Sequence, residues 1–154
     1  AGVSIAGETA VTLTYPADPA SGDPITVLVY DRMTASDSAT ESWTQSAEID
    51  PSEVLALPMQ MALGGDVLVL SGQDAMGPDA QRIVIVYQRE DDAWSQIATL
   101  TSADAGGLFG ESIATDGESI IMTMPASDSA GGTIYRTTVA QLGDHTADDP
   151  IICQ

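Results

Sequence analysis

The chain has 154 residues, 44 % of them hydrophobic, and sets 23 acidic side chains against 4 basic ones for a formal net charge of -19. That hydrophobic share supports a folded core, while the charge repels phosphate backbones and anionic headgroups and so excludes nucleic-acid partners. No apolar run approaches the ~20 residues of a membrane-spanning helix, and no membrane insertion is expected.

Short apolar runs rich in Val, Ile, Thr and Tyr, bounded by Gly, Pro, Asp and Ser, predict β-strands. In chain order they fall at 3–5, 10–15, 25–31 and 43–49, then at 59–63, 67–71, 83–88 and 94–100, and finally at 112–115, 119–124 and 133–139. Ala6-Gly7-Glu8, Gly64-Gly65-Asp66 and Asp116-Gly117-Glu118 each sit between apolar runs and read as hairpin turns, where glycine accepts positive φ. Asp50-Pro51-Ser52-Glu53 carries a cap residue and a proline suited to a first helical position, enough for one turn before Pro58. Val67-Leu68-Val69-Leu70 and Ile83-Val84-Ile85-Val86 are apolar on both faces and predict inner strands of a sheet packed between two others. Residues 140–150 are polar and acidic, and Ile151-Ile152-Cys153 is the candidate for a closing strand.

These elements repeat. Gly7 and Gly65 are 58 residues apart, Gly65 and Gly117 are 52 apart, and Tyr30, Tyr87 and Tyr135 each end an apolar run that follows an Asp-rich loop. Two copies continue with Trp43-Thr-Gln-Ser-Ala-Glu-Ile49 and Trp94-Ser-Gln-Ile-Ala-Thr-Leu100, identical at Trp, Gln and Ala. A unit of this size matches a four-stranded propeller blade. The expectation is therefore one all-β unit over 1–154, with about three four-stranded antiparallel propeller-type blades at about 1–50, 51–104 and 105–154. Trp43, Trp94, Tyr30 and Tyr87 are expected to pack between blades, and Met59 and Met61 to lie in the core.

The run Phe109-Gly110-Glu-Ser-Ile-Ala-Thr-Asp-Gly-Glu-Ser-Ile-Ile, the Val-Tyr strands and the Trp-led strands resemble the FG-GAP repeat of integrin alpha-chain propellers and of many secreted bacterial proteins. The resemblance spans nearly the whole chain. Only the third copy keeps Phe-Gly; the second has Leu57-Pro58 at that place. It implies a propeller, an extracellular or cell-surface location, and a role in adhesion or binding. Family members that bind Ca2+ carry an Asp-x-Asp-x-Asp-Gly loop, and no position of this chain matches it. Closed propellers have about four to eight blades, so three copies predict part of a larger propeller, with further blades supplied by chain continuation or self-association.

Chemistry-bearing residues are sparse. The acidic loops 18–23, 74–79 and 128–132 recur after the second strand of each copy, and repeated loops on one face of such a scaffold are where it binds ligands. Asp74, Asp79 and Asp128 are the candidate Ca2+ ligands there. His145 has no second His or thiolate beside it in sequence, and the pairs Asp91-Asp92 and Asp148-Asp149 read as solvated acids rather than a glycosidase dyad. Cys153 has no internal disulfide partner. Together these features predict a non-catalytic extracytoplasmic module that binds a protein or carbohydrate ligand. The alternatives are a propeller segment of a larger secreted hydrolase and a self-contained β-sandwich.

Overall fold

The computed structural model describes residues 2–16, 18, 23–34, 41–102, 108–126, 131–143 and 151–153. Sheet 1 is an antiparallel meander of β1 (Gly2–Ala6), β2 (Thr9–Thr14), β3 (Thr26–Thr34) and β4 (Glu41–Ile49). Sheet 2 repeats that order with β5 (Leu57–Gly64), β6 (Val67–Gln73), β7 (Arg82–Glu90) and β8 (Ala93–Ser102). Sheet 3 has β9 (Ile113–Thr115), β10 (Ser119–Pro125) and β11 (Gly132–Thr138), followed by a short helix α1 (Val139–Leu142). The last strand, β12 (Ile151–Cys153), runs parallel to β8, with Ile151 opposite Leu100.

The all-β, antiparallel expectation holds. The expectation of three four-stranded blades does not: the third sheet has three strands, and the closing strand joins sheet 2. The cause is local. Thr138 caps a helix where the earlier copies turn toward a fourth strand, its hydroxyl accepting from the Gln141 amide while the Gln141 side chain accepts from the Thr138 amide. This reciprocal cap satisfies two donors that a helix start otherwise leaves without partners. Among the described residues the sheets stack without closing into a barrel or ring.

The hairpin turns are where the sequence places them, with Gly7, Gly65 and Gly117 at φ of 58°, 52° and 96°. The shared Trp-x-Gln-x-Ala pattern marks a β-bulge. In sheet 1 the register slips between Val29 and Tyr30, so that Ala47 and Gln45 face consecutive residues. In sheet 2 it slips between Val86 and Tyr87, opposite Ala98 and Gln96. Bulges strengthen local twist, and the two sheets twist at the same place.

Tyr135 departs from this phase. Tyr30 pairs with Ala10 and Tyr87 with Leu68, each three residues past its hairpin glycine, whereas Tyr135 pairs with Met122, five past Gly117. The residue in register with the first two tyrosines is Thr137, opposite Ile120. Tyr135 instead packs edge-on against Phe109, ring centroids 5.4 Å apart at 72°.

Sheet 2 lies between the other two. On one side Leu68, Leu70, Ile83, Ile85 and Tyr87 pack with Val11, Leu13, Val27, Val29 and Ile49 of sheet 1. On the other side Val67, Val69, Val84, Val86 and Leu100 pack with Phe109, Ile120, Met122, Met124 and Tyr135. This is the two-faced burial expected of the continuous apolar runs, and each such side chain contributes about 1.5–3 kcal/mol. The first strands of the sheets lie side by side: β1 touches β5, and β5 touches β9. Gly64 shows how closely, since a Cβ there would stand 2.5 Å from the Gly117 amide nitrogen.

Consecutive sheets are also joined by hydrogen bonds to equivalent carbonyls, though from donors at different positions. The Tyr15 hydroxyl donates to the Pro58 carbonyl at 2.9 Å, and the buried Ser71 hydroxyl donates to the Gly110 carbonyl at 2.6 Å. Pro58 and Gly110 each stand seven residues before their hairpin glycine. Phe-Gly in the third copy and Leu-Pro in the second therefore perform the same joint. An ion pair ties sheets 1 and 2 as well: Arg89 holds both carboxylate oxygens of Asp31, at 3.0 and 2.9 Å.

Two core expectations fail. Met59 is 41 % exposed because the register of β5 slips between Pro58 and Gln60, turning it off the packed face that half-buried Met61 keeps. Trp43 is 40 % exposed while its counterpart Trp94 packs between sheets 1 and 2.

Candidate functional site

The acidic loops follow β2, β6 and β10, as the repeat predicts. In sheet 2 the connection is fully described. The Asp74 amide donates to the Gln81 carbonyl at 3.1 Å, and the Gln81 amide donates back to the Asp74 carboxylate at 2.8 Å. The Asp74 carboxylate thus closes the neck of its own loop. Asp79 is exposed, and Asp128 lies outside the described residues. Among the described residues no three acidic, histidine or cysteine side chains are grouped to hold a metal ion.

His145 and Asp148-Asp149 also lie outside the described residues. Asp91 and Asp92 form the β7–β8 turn with φ of 47° and 66°. Aspartate tolerates that left-handed backbone better than most residues, so this acidic pair serves a turn. Asp92 also accepts from Arg89 at 2.9 Å.

What the sequence did not reveal is a cavity of about 360 Å³ beside these loops. It lies where the β2–β3 connection, the crossover from β4 to β5 and the β6–β7 loop meet, with Tyr15, Pro16, Asp23, Pro24 and Ile25 from the first, Leu55 and Leu57 on its apolar side, and Met76 from the third. The crossover is held by local bonds. The Ser52 amide donates to the Asp50 carboxylate at 2.8 Å, and the Leu55 amide closes one helical turn on the Pro51 carbonyl at 2.8 Å, the single turn expected there. That turn drives Leu55 into the core at 1 % exposure, while Met76 stands 74 % exposed at the rim.

Burial and pairing shift groups that lie outside the cavity lining. The Ser52 contacts hold the Asp50 carboxyl below the usual carboxylate range. Tyr87, near Asp50 and Glu53, has its phenol pushed up to about 12, chiefly by burial and then by those two carboxylates. Arg89 pulls Asp31 down to about 2. The lining offers one phenol, one serine hydroxyl and one carboxylate around an aliphatic interior. Such a surface takes up an apolar group and orients it through a few polar contacts. In sequence, the only signal for it is the pair Tyr15-Pro16 and Pro24 flanking an acidic loop.

Compared with protein-family models, with curated proteins and with solved structures, the chain matches none.

Proposed function

We propose that this chain is a non-catalytic, extracellular or cell-surface binding module, a run of propeller-type blades akin to FG-GAP repeats, that takes a protein ligand at the loop end of its sheets. The observation that carries this reading is the 360 Å³ cavity between two repeat-equivalent acidic loops, floored by Leu55 and Leu57 and overhung by exposed Met76. An aliphatic interior suits a protein side chain better than a sugar, which is commonly stacked on aromatic rings, and Tyr15 is the one ring in the lining. The surrounding negative charge steers a partner with basic residues beside its apolar anchor. Face-to-face packing of sheets with adjacent first strands supports the blade reading.

Selection of a displayed random-peptide library against the chain tests it. Enriched peptides should carry an aliphatic or aromatic anchor flanked by Lys or Arg, and should bind at least about tenfold more weakly to Met76→Asp, with affinity falling as salt rises. Binders indifferent to Met76→Asp and Ile25→Asp, or hydrolytic activity in the chain itself, would overturn it. Calcium bound at the acidic loops, with Asp74, Asp79 and Asp128 as candidate ligands, belongs to the same reading. A rise in Tm at Ca2+ concentrations on the order of millimolar keeps that part, and an unmoved melt removes it.

A further inference from the structure

The packing of the sheets obeys one rule. Counted from the hairpin glycines, Val11, Val27, Val29 and Ile49 of sheet 1 correspond to Val69, Val84, Val86 and Leu100 of sheet 2. The first set packs on sheet 2 and the second set on sheet 3. Each sheet therefore turns the same face toward its successor and receives its predecessor on the other.

The receiving face of sheet 2 carries Leu68, Ile85, Tyr87, Arg89 and Trp94. The corresponding positions of sheet 1 hold Ala10, Leu28, Tyr30, Arg32 and Trp43, identical in the Tyr, Arg and Trp, while Thr12 and Thr26 stand where that face of sheet 2 has Leu70 and Ile83. Both arginine amides donate to the same place, the carbonyl after the hairpin glycine, Glu8 for Arg32 and Asp66 for Arg89. Yet among the described residues no core cluster forms on this face of sheet 1, and Val3, Ile5 and Trp43 are 79, 62 and 40 % exposed. The far face of sheet 3 differs. Where sheet 2 carries Val67 and Val86, it has Ser119 and Arg136, the guanidinium donating to the serine hydroxyl at 2.9 Å, while Ile121 and Ile134, at the places of Val69 and Val84, are 43 and 73 % exposed. The far face of sheet 3 thus joins a polar pair to exposed isoleucines, whereas sheet 1 keeps the Tyr, Arg and Trp of an interior joint.

Arg32 and Arg89 differ in the acid that their forks hold. Arg89 binds Asp92 on its own sheet and, with its fork, Asp31 of the preceding sheet. Arg32 binds Glu41, the counterpart of Asp92, and turns its fork to Glu8 of its own sheet. Glu8 occupies the place that an acid from a preceding sheet occupies on Arg89.

We propose that this face of sheet 1 docks one further four-stranded repeat unit, stacked ahead of it, presenting a Val/Leu face and an aspartate that replaces Glu8 on Arg32. This deepens the assembly side of the blade reading and rests on it only in that repeats stack by one rule. The test places a copy of residues 2–58 directly ahead of Ala1, so that the copy's Leu57-Pro58 supplies the joint used between sheets 1 and 2. The copy carries Trp43→Phe, and parent and extended chain both carry Trp94→Phe, leaving the original Trp43 as the single tryptophan and reporter.

The extended chain should melt at least ~5 °C higher than the parent, and Trp43 emission should move to the blue with about twofold less acrylamide quenching, as for a tryptophan entering a joint. Arg32→Ala should remove much of the gain, and Glu8→Gln should leave it intact. A Trp43 that stays as quenchable as in the parent overturns the proposal, as does a gain that survives both Arg32→Ala and Leu28→Asp. A second measurement needs no added unit: Val3→Thr with Ile5→Thr in the parent should leave Tm within about 2 °C, because a face awaiting a partner does not hold up its own sheet. A larger fall overturns the proposal. Either failure leaves the peptide-binding result at Met76 standing.

Discussion

Sheets 2 and 3 share their first three strands and their hairpin glycine, yet sheet 2 is buried on both faces and sheet 3 on one. Strand β6 is buried at six consecutive residues from Val67 to Gly72, whereas β10 alternates, with Ile120, Met122 and Met124 inward and Ile121 outward. Position in the stack, rather than kind of strand, decides whether a sequence reads as a continuous apolar run or as an alternation. The joints differ too. Asp31 and Arg89 tie sheets 1 and 2 by charge, while the positions in register at the next joint are Gln88 and Val139, which packs into the core.

The contrast is broken most forcefully at Leu68. It is wholly buried between sheets, so Leu68→Ala should cost about 2–5 kcal/mol in urea or thermal unfolding, while Ile121→Ala, 43 % exposed on the far face of sheet 3, should stay within about 1 kcal/mol. Equal losses would mean that sheet 3 is covered in solution.

The ionic joint should show in acid. Asp31 is held at about 2, below its ordinary value, chiefly by hydrogen bonding to Arg89. A carboxylate so depressed stabilises the fold at any pH above its unfolded value near 4, and that contribution is lost as pH falls from about 4 toward 2. Allowing for solvent at this half-buried pair, the loss should be about 1 kcal/mol, and Arg89→Ala should flatten the acid limb of a stability–pH curve. An unchanged limb would remove the pair from the account of the first joint.

The smallest effect belongs to the cap. Thr138→Ala removes the hydroxyl that accepts from Gln141 and should cost about 1 kcal/mol, seen as faster amide exchange confined to α1 and the end of β11. Loss of protection in sheets 1 and 2 as well would show that the helix braces the whole stack.

The strands were legible in the sequence because glycine turns and apolar runs act locally. Even the bulges were written there, in Trp-x-Gln-x-Ala, though their meaning emerged only from the pairing register. What escaped was set by distance or by length. Tyr135 looked in phase because it ends an apolar run, but register counts from Gly117. The Thr138-x-x-Gln141 cap is present in the residues, but the apolar run through Val139 reads as a strand. The pairing of β12 with β8, with some fifty residues between them, follows no local pattern. At the candidate site, Asp74 was visible as an acid but not as the clasp of its loop, and the cavity exists only where three separated connections meet.

All four arginines are engaged: Arg32 with Glu8 and Glu41, Arg82 with Glu111, Arg89 with Asp31 and Asp92, and Arg136 with Ser119. No lysine stands in reserve. With 23 acids against 4 arginines, most carboxylates draw their neutralising charge from dissolved cations, and folding crowds them more densely than the extended chain does. Folding therefore gathers a thicker counterion atmosphere, and in thermodynamic terms salt is a reactant on the folded side. The folded fraction should climb with monovalent salt concentration, and the slope of that climb counts the ions condensed when the sheets come together.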